Sequence, residues 1–389
     1  MVRERTTVVV VGGGPAGLTL AALLRRCEVP FVLLEVRTRE HIEKRQRAGI
    51  VEYQAARMLA GWGLADRLFG GAPVGGRLEL RVDGVPHLLG DDAIGGVMCP
   101  QQVLVRNLIE VVLEDGGDLR FGAAEVALHD LTGEQPTVSY RDAEGVQHEI
   151  SCDFVAGCDG FHGAGRASVP EGAVTVSTHD YGGAGWLTVL ADAAPYRYPL
   201  IAVGDHGFAA QFARGPAASR FYLQCAPGDT EQDWPEERIW TQLRARFGDP
   251  GLQAAAVTES EVFAHRSVVH DPMSYGRLFL VGDAAHIISP LGGKGMNLAL
   301  HDADVLARAL RAFNRDGDES GLRDYSRDCL PRVWSCQEFS HWLLEAMHPA
   351  GDTAPAASFR RGLARARLHR LTSSPTAGRL YAELMAGLA

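Results

Sequence analysis

Three short glycine-bearing signatures hold the residues most able to do chemistry in this chain. The first is Val8-Val9-Val10-Val11-Gly12-Gly13-Gly14-Pro15-Ala16-Gly17, with an acid, Glu35, 18 residues beyond Gly17. The second is Cys158-Asp159-Gly160, and the third is Gly282-Asp283-Ala284-Ala285-His286. A GxGxxG run alone says little in a chain with 45 glycines. This one follows an apolar β-branched run and opens an amphipathic helix pattern, and its acid lies near the spacing used for ribose recognition. Gly12 permits a tight turn, Gly14 lets backbone approach a pyrophosphate, and Gly17 lets helix and strand close up. The helix N-terminus then offers free N–H groups and the positive end of a dipole to phosphates. A second Asp-bearing strand end, at Asp283, is what FAD needs and NAD does not, because a carboxylate there can hold the ribityl chain. The expected cofactor is FAD.

A strand over 7–11, a helix over 16–27 and a second buried strand over 30–36 make the βαβ unit that positions the loop and Glu35. A helix is expected over 50–61, a strand over 77–82 turning at Asp83-Gly84, a helix from Gln101 to Glu114 and a hairpin within 137–150. From about 176 to 270 the texture changes to short strands, including 185–191, 207–213 and 219–225, separated by Gly, Pro and Asp clusters. In the last of these, Arg220, Tyr222 and Gln224 alternate with Phe221, Leu223 and Cys225. That polar face either lines a site or is simply the wet side of a sheet. The chain returns with a buried strand from Gly276 to Asp283, the loop Ser289-Pro-Leu-Gly-Gly-Lys-Gly-Met-Asn297, and a helix with apolar steps at Leu298, Val305, Leu306, Leu310 and Phe313. Beyond about 350 the sequence is Ala/Arg-rich and helical, a texture suited to packing or subunit contact.

The expected fold is α/β. A Rossmann-like βαβ FAD-binding domain of the glutathione-reductase type spans 1–175, with 75–100 joining the substrate domain. An inserted, mostly antiparallel β-sheet substrate domain spans 176–270. Residues 271–389 return to the FAD domain and end in a helical interface segment.

At 389 residues the chain exceeds one ordinary core, and 46% hydrophobic with 22% charged residues is ordinary for a soluble globular protein. A net charge of −10 argues against nucleic acid or an anionic membrane as the main partner. The apolar stretches are too short to span a bilayer. Met1 leads through Arg-Glu-Arg into a strand without a signal-peptide core, and seven cysteines lack any CxxC pair. Both point to reduced thiols in the cytoplasm. No metal site is expected. Of 38 Lys and Arg, only Lys44 and Lys294 are lysines, so Lys294, inside the third signature region, is more informative than a lysine usually is. It is either a working residue or a solvated loop charge.

The order GxGxxG, Arg45-Gln-Arg47-Ala48-Gly49, Gln101, Cys158-Asp-Gly-Phe-His-Gly163, Gly282-Asp-Ala-Ala-His and Gly293-Lys-Gly-Met-Asn297 resembles the 4-hydroxybenzoate 3-monooxygenase family of single-component FAD-dependent aromatic hydroxylases. The resemblance covers nearly the whole chain. It implies FAD contacts at Gly12, Gly14, Pro15, Ala16, Gly17, Glu35, Arg45, Arg47, Ala48, Gly49, Gln101, Asp159, Asp283, Gly295, Met296 and Asn297. The backbone around Met296 and Asn297 opens a helix whose N–H groups favour negative charge at the flavin pyrimidine edge, and Asn297 also reads as a helix cap. NAD(P)H contacts map to Arg45, His162, Arg166 and Arg266. NADPH is expected ahead of NADH, although an arginine and a tyrosine after the ribose acid are replaced by Val36 and His41, with Arg37 as the compensating cation.

The resemblance assigns Arg214, Arg220, Tyr222 and Pro290 to catalysis, and Ile201, Phe212, Arg214, Tyr222, Pro290 and Leu291 to the substrate pocket. Arg214, supported by Tyr222, would grip a carboxylate with its guanidinium fork, and Arg220 would position the flavin. The family's polar pocket is otherwise altered. A serine is replaced by Phe212, a phenol-binding tyrosine by Ile201 and its C-terminal partner by Met385, with Tyr381 nearby. A threonine is replaced by Leu291, and a solvent-linking histidine by Val74. Those changes remove the relay that deprotonates a phenol. The implied activity is ring hydroxylation of a hydroxy- or aminobenzoate-type aromatic acid through a flavin C4a-hydroperoxide, with O2 and NAD(P)H consumed. Plain 4-hydroxybenzoate would be a poor substrate, and a homodimer is expected. The rival readings are a flavin halogenase, an FAD oxidase or dehydrogenase without oxygen insertion, and a non-catalytic flavin redox sensor. The halogenase reading requires a Trp-x-Trp spacing that the six tryptophans do not provide.

Overall fold

The four consecutive valines Val8–Val11, 0–4% exposed, form a strand that can only be central. The computed structural model, which describes residues 2–44, 49–348 and 355–388, places it inside a six-stranded sheet. The order across that sheet is Ser274–Tyr275, Leu278–Leu280, Phe154–Gly157, Val8–Val11, Phe31–Glu35 and Asp118–Phe121. All pairings are parallel except the hairpin of the first two strands. Gly157 pairs with both Val11 and Leu280, and Val11 pairs with Leu34. Gly12, Glu35, Asp159 and Asp283 therefore all leave the sheet at its C-terminal edge, where ligands bind in open α/β sheets.

The helix Pro15–Arg26 buries every residue from Ala16 to Leu24, so it is covered by neighbours rather than packed on one face. Those neighbours are the helices Gln101–Glu114 and Lys294–Asp316. Each fully buried leucine among Leu18, Leu20, Leu23 and Leu24 contributes about 1.5–3 kcal/mol of burial. A four-stranded sheet, ordered Val2–Arg5, Gln147–Ser151, Thr137–Arg141 and Ala124–His129, belongs to the same unit.

Contacts divide the chain into two compact units: Met1–Pro73, Val97–Thr178 and Ser267–Gln337, and separately Val74–Gly96, His179–Arg266 and Glu338–Ala389. In the second unit, Gly207–Ala213 pairs antiparallel with both Leu200–Gly204 and Ser219–Cys225, and the last of these pairs antiparallel with the long strand Thr175–Ala191. The hairpin Arg77–Val82 and Val85–Gly90 joins this sheet through a parallel pairing with Leu200–Gly204. Its turn residues, Asp83 and Gly84, both have positive φ (48° and 82°), the conformation that a two-residue hairpin needs. Leu187, Val189, Leu200, Ala202, Ala209, Phe221 and Leu223 form one buried face with Ile239, Trp240, Leu243 and Phe247 of the helix Glu236–Phe247.

Two expectations need correction. The segment expected as a helix over 50–61 begins as a strand, Ile50–Val51, because these β-branched residues pair with Met98 and Val97; the helix starts at Tyr53. Residues after Gln337 group with the second unit rather than returning to the first, since the helix Pro375–Ala386 packs on the strand Val85–Gly90.

Candidate functional site

The glycine loop has the geometry its sequence demands. Gly12 has φ +107°, and a Cβ there would lie 2.5 Å from the Cys158 carbonyl oxygen. At Gly17 a Cβ would lie 1.9 Å from the Gly12 oxygen, so glycine alone allows helix and loop to meet. Gly14 differs: nothing of the protein lies within 4 Å of a Cβ placed there. A residue kept small without an internal reason faces open space that a ligand backbone can use. Glu35, 7% exposed, accepts from Gly13 N–H at 2.6 Å and from Arg37 N–H at 2.7 Å. Gly13, Gly14, Pro15, Glu35 and Gln101 line one cavity of about 270 Å³ together with Arg37, His41, Ile42 and Val105. Gly49 packs beside this region, where a Cβ would lie 2.9 Å from Pro100 Cα. Arg45, Arg47 and Ala48 lie outside the described residues.

Asp159 turns its carboxylate back to accept from Gly165 N–H at 2.8 Å, and a Cβ on Gly163 would lie 2.0 Å from Asp159 Cγ. Burial pushes its pKa up, opposed by the backbone N–H groups of the turn. Asp283 behaves differently. Its carboxylate is exposed while Gly282, Ala284 and Ala285 around it are buried.

The helix Lys294–Asp316 begins after Gly293, whose φ is +64°. Gly295 and Met296 occupy its first turn, half-buried. Asn297 is not the helix cap. Its side chain accepts from Glu52 N–H at 3.0 Å and donates to the Ile50 and Gly293 oxygens at 3.1 and 2.9 Å. The helix start is thereby stapled to the strand Ile50–Val51. Lys294 is not a solvated loop charge either: it is 2% exposed and pairs with Glu52 at 2.8 Å. Arg332 binds the other oxygen of Glu52. Glu52 is thereby shared by two cations, one of them the first residue of this helix. Glu52 and Arg332 gave no sequence signal; the scarcity of lysine was the signal for Lys294.

The remaining residues expected to contact the nicotinamide nucleotide are divided between the units. His162 is exposed, and Arg166 lies 4.0 Å over the Phe161 ring while donating to the Phe161 oxygen at 2.6 Å. Arg266, also exposed, belongs to the second unit.

Sheet register brings four expected site residues, Ile201, Phe212, Arg220 and Tyr222, together in the second unit. Ile201 pairs with Ala210, Ala210 with Tyr222, and Tyr222 with Thr188, making one row across the sheet. The next row contains Phe212, Arg220 and Leu190. Alternation puts both rows on the side opposite the helix-covered face. Phe212 meets Tyr222 edge-on at 5.9 Å, and Ile201 is buried. Arg214 follows in the same strand's exit. Its Nε is buried with no hydrogen-bond partner among the described residues, Nη1 donates to the Ala213 oxygen at 3.0 Å, and the Tyr222 hydroxyl lies beside it. Burial lowers its pKa, and Tyr222 opposes that. Arg220, 8% exposed, pairs with Glu259 at 3.1 Å. Pro290 (exposed) and Leu291 (buried) belong to a turn of the first unit, closed by Gly293 N–H on the Pro290 oxygen at 3.0 Å.

Sequence reasoning missed an aromatic cluster on the Tyr222 side of this sheet. Trp186 stacks on Phe208 (5.0 Å, 2°), lies 5.0 Å from Tyr222 and donates its indole N–H to His348. His265 meets Trp186 edge-on at 4.7 Å. Scattered single aromatics and histidines carry no spacing signal; only strand pairing assembles them.

The family described as FAD binding domain matches residues 5–340. The p-hydroxybenzoate hydroxylase of Acinetobacter baylyi is 35% identical over 354 residues, covering 88% of this chain and 86% of that protein. The 3-amino-4-hydroxybenzoate 2-monooxygenase PtmB3 of Streptomyces platensis is 30% identical, covering 85% of each. Among solved structures, p-nitrophenol 4-monooxygenase from Pseudomonas putida superposes with a TM-score of 0.82 at 20% identity, covering 100% of this chain and 99% of that one.

Proposed function

Because the chain belongs to the FAD-dependent aromatic hydroxylases, the family that includes p-hydroxybenzoate hydroxylase, we propose that it hydroxylates the ring of an amino-hydroxy- or dihydroxybenzoate, with NADPH as reductant. One observation carries the acid part of this reading: Arg214 is withdrawn from water with Nε unpartnered beside the Tyr222 hydroxyl. A desolvated guanidinium with a free donor is favoured only when an anion completes it. The apolar surroundings carry the other part. Ile201 and Phe212 can neither take nor give a proton, and an apolar wall raises a phenol's pKa. A ring that brings its own amino or second hydroxyl donor does not need a relay to become electron-rich. The names of two relatives, one acting on p-hydroxybenzoate and one on 3-amino-4-hydroxybenzoate, bracket that choice.

FAD fits the residues present. Gly14 has open space in front of it where the pyrophosphate would lie, Glu35 would take the ribose hydroxyls, exposed Asp283 would take the ribityl hydroxyls, and the helix start at Gly295 and Met296 would offer N–H groups to the pyrimidine edge. When bound, FAD supplies electron transfer and oxygen activation. The chain's own contribution would be to hold the acid by Arg214 and Tyr222, to keep the ring dry against Ile201 and Phe212, and to present the N–H groups of the helix start at Gly295 and Met296. In the first unit, Arg166 and the exposed His162 would meet the phosphates of the nicotinamide nucleotide, and Arg37 its 2′-phosphate. The test is a screen of hydroxy- and aminobenzoates for stimulated NADPH and NADH oxidation, with products identified and peroxide measured. Tight coupling on an aminated or dihydroxylated acid is expected. Efficient, coupled 3-hydroxylation of plain 4-hydroxybenzoate would refute the substrate choice.

A further inference from the structure

The exposed carboxylate of Asp283 sits on a turn that is clamped on both sides by one buried oxygen. Oδ2 of Asp302 accepts from Gly282 N–H at 2.9 Å and lies 2.7 Å from His286 Nε2, so it ties the residue before Asp283 to the residue three after it. Asp302 is 0% and His286 1% exposed. Two further bonds brace the same turn: His270 Nδ1 lies 2.7 Å from the Ala285 oxygen, and the Tyr325 hydroxyl donates to the Leu280 oxygen at 2.9 Å. Gly282 has φ +63°, and a Cβ there would lie 2.9 Å from Ala299 Cβ and 3.4 Å from Ala16 Cβ. The turn thus packs where the glycine-loop helix and the helix Lys294–Asp316 meet. Asp302 belongs to that second helix, whose first turn carries Gly295 and Met296. A single helix therefore sets both the N–H groups of its own start and, through Asp302, the direction of Asp283.

Stability alone does not call for such a pair. Buried ion pairs are often no better than apolar residues of the same volume, because desolvation cancels the attraction. What a bidirectional carboxylate adds is geometry. Burial disfavours the charged imidazole of His286, but the charge and hydrogen bond of Asp302, with help from Asp283, raise its pKa overall. The short contact between His286 Nε2 and Asp302 Oδ2 keeps that acceptor aimed at both the imidazole and Gly282 N–H.

We propose that His286 and Asp302 are positioning residues for flavin binding, which act through Asp283 by fixing the Gly282–Ala285 turn. This rests on the reading of Asp283 as acceptor for the ribityl hydroxyls. The experiment measures FAD dissociation constants of the apoprotein by flavin fluorescence for wild type, His286→Leu, His286→Gln, Asp283→Ala and the His286→Leu/Asp283→Ala double variant, with apoprotein melting temperatures alongside. His286→Leu should weaken FAD binding roughly 10- to 100-fold, as for a lost hydrogen bond to a carboxylate. His286→Gln, which keeps a donor at the same reach, should recover most of that loss. In the Asp283→Ala background the His286→Leu effect should shrink to within about twofold. An equal loss in both backgrounds would make the pair merely structural and overturn the proposal. If Asp283→Ala alone binds FAD as tightly as wild type, the reading of Asp283 fails instead, and the two failures are told apart by that single variant. Should His286→Leu not fold, Asp302→Asn, which retains an acceptor for Gly282 N–H, enters the same cycle with the same expectation.

Discussion

The Lys294 ammonium lies 2.8 Å from a Glu52 carboxylate oxygen with both side chains 2% exposed, while Arg332 takes the other oxygen. The three groups are unequal in what their removal leaves behind. Lys294→Met leaves a neutral Glu52–Arg332 pair, so a loss of about 1–2 kcal/mol is expected. Glu52→Gln removes the anion that the buried Lys294 and the part-buried Arg332 share, for which about 3–5 kcal/mol is expected. Urea unfolding of the two variants checks the order; a larger loss for Lys294→Met would mean that the cluster is not organised around Glu52.

The glycines separate fold from ligand. Gly17→Ala would force a methyl to 1.9 Å from the Gly12 oxygen, a backbone atom that cannot move aside, so a loss of at least about 3 kcal/mol or failure to fold is expected. Gly14→Ala meets nothing of the protein within 4 Å and keeps an ordinary φ of −76°, so the apoprotein should lose about 1 kcal/mol or less. Its methyl would occupy the approach to the pyrophosphate, and FAD affinity should fall roughly tenfold or more. Unchanged FAD binding in Gly14→Ala would place the phosphates elsewhere.

Much of the first unit was legible because its signals are local. Four valines, three glycines and an acid at fixed spacing specify a strand, a turn and a helix without any distant partner, and the strands fall within a residue or two of expectation. The misread stretch, Ile50–Val51, owes its strand state to Val97 and Met98, some 47 residues away. The same holds at the sites. Lys294 was visible through composition, but its partners Glu52 and Arg332 are joined to it only by folding. Arg220 and Tyr222 were seen to share a face, and the strand pairing, which no spacing encodes, sets that face beside Ile201 and Phe212.

Arg214 offers the most direct test of the substrate's charge. Its Nε has no hydrogen-bond partner among the described residues and the Tyr222 hydroxyl lies beside it, so under the proposed function the two would receive a carboxylate. Arg214→Ala should weaken binding of an aromatic acid by about 2–5 kcal/mol, since the carboxylate would be left unpaired against an apolar face. Arg214→Lys should recover only part, because an ammonium cannot make two parallel bonds. The measurement is a ligand titration followed by flavin absorbance. A carboxamide analogue that binds wild type as well as the acid does would remove the charge argument.

His265 makes the second unit acid-sensitive. The ring is 2% exposed, edge-on to Trp186, Phe263 and Tyr181 and 5.5 Å from His348, and burial lowers its pKa from the ordinary 6.5 to about 4. The folded form therefore holds the neutral imidazole while the unfolded chain takes up a proton first as pH falls. Between the two pKa values the unfolded state binds more protons, so stability rises with pH across that window. It is complete above about pH 6.5 and lost as pH falls toward 4, with a contribution of about 3 kcal/mol from this group. His348, whose pKa burial also lowers, acts in the same direction. Urea unfolding followed by tryptophan fluorescence at pH 7, 6, 5 and 4 should show this decline, because Trp186 reports on the cluster directly. His265→Phe, which keeps a ring and cannot be protonated, should flatten it. An equally steep decline in that variant would assign the acid sensitivity to other groups.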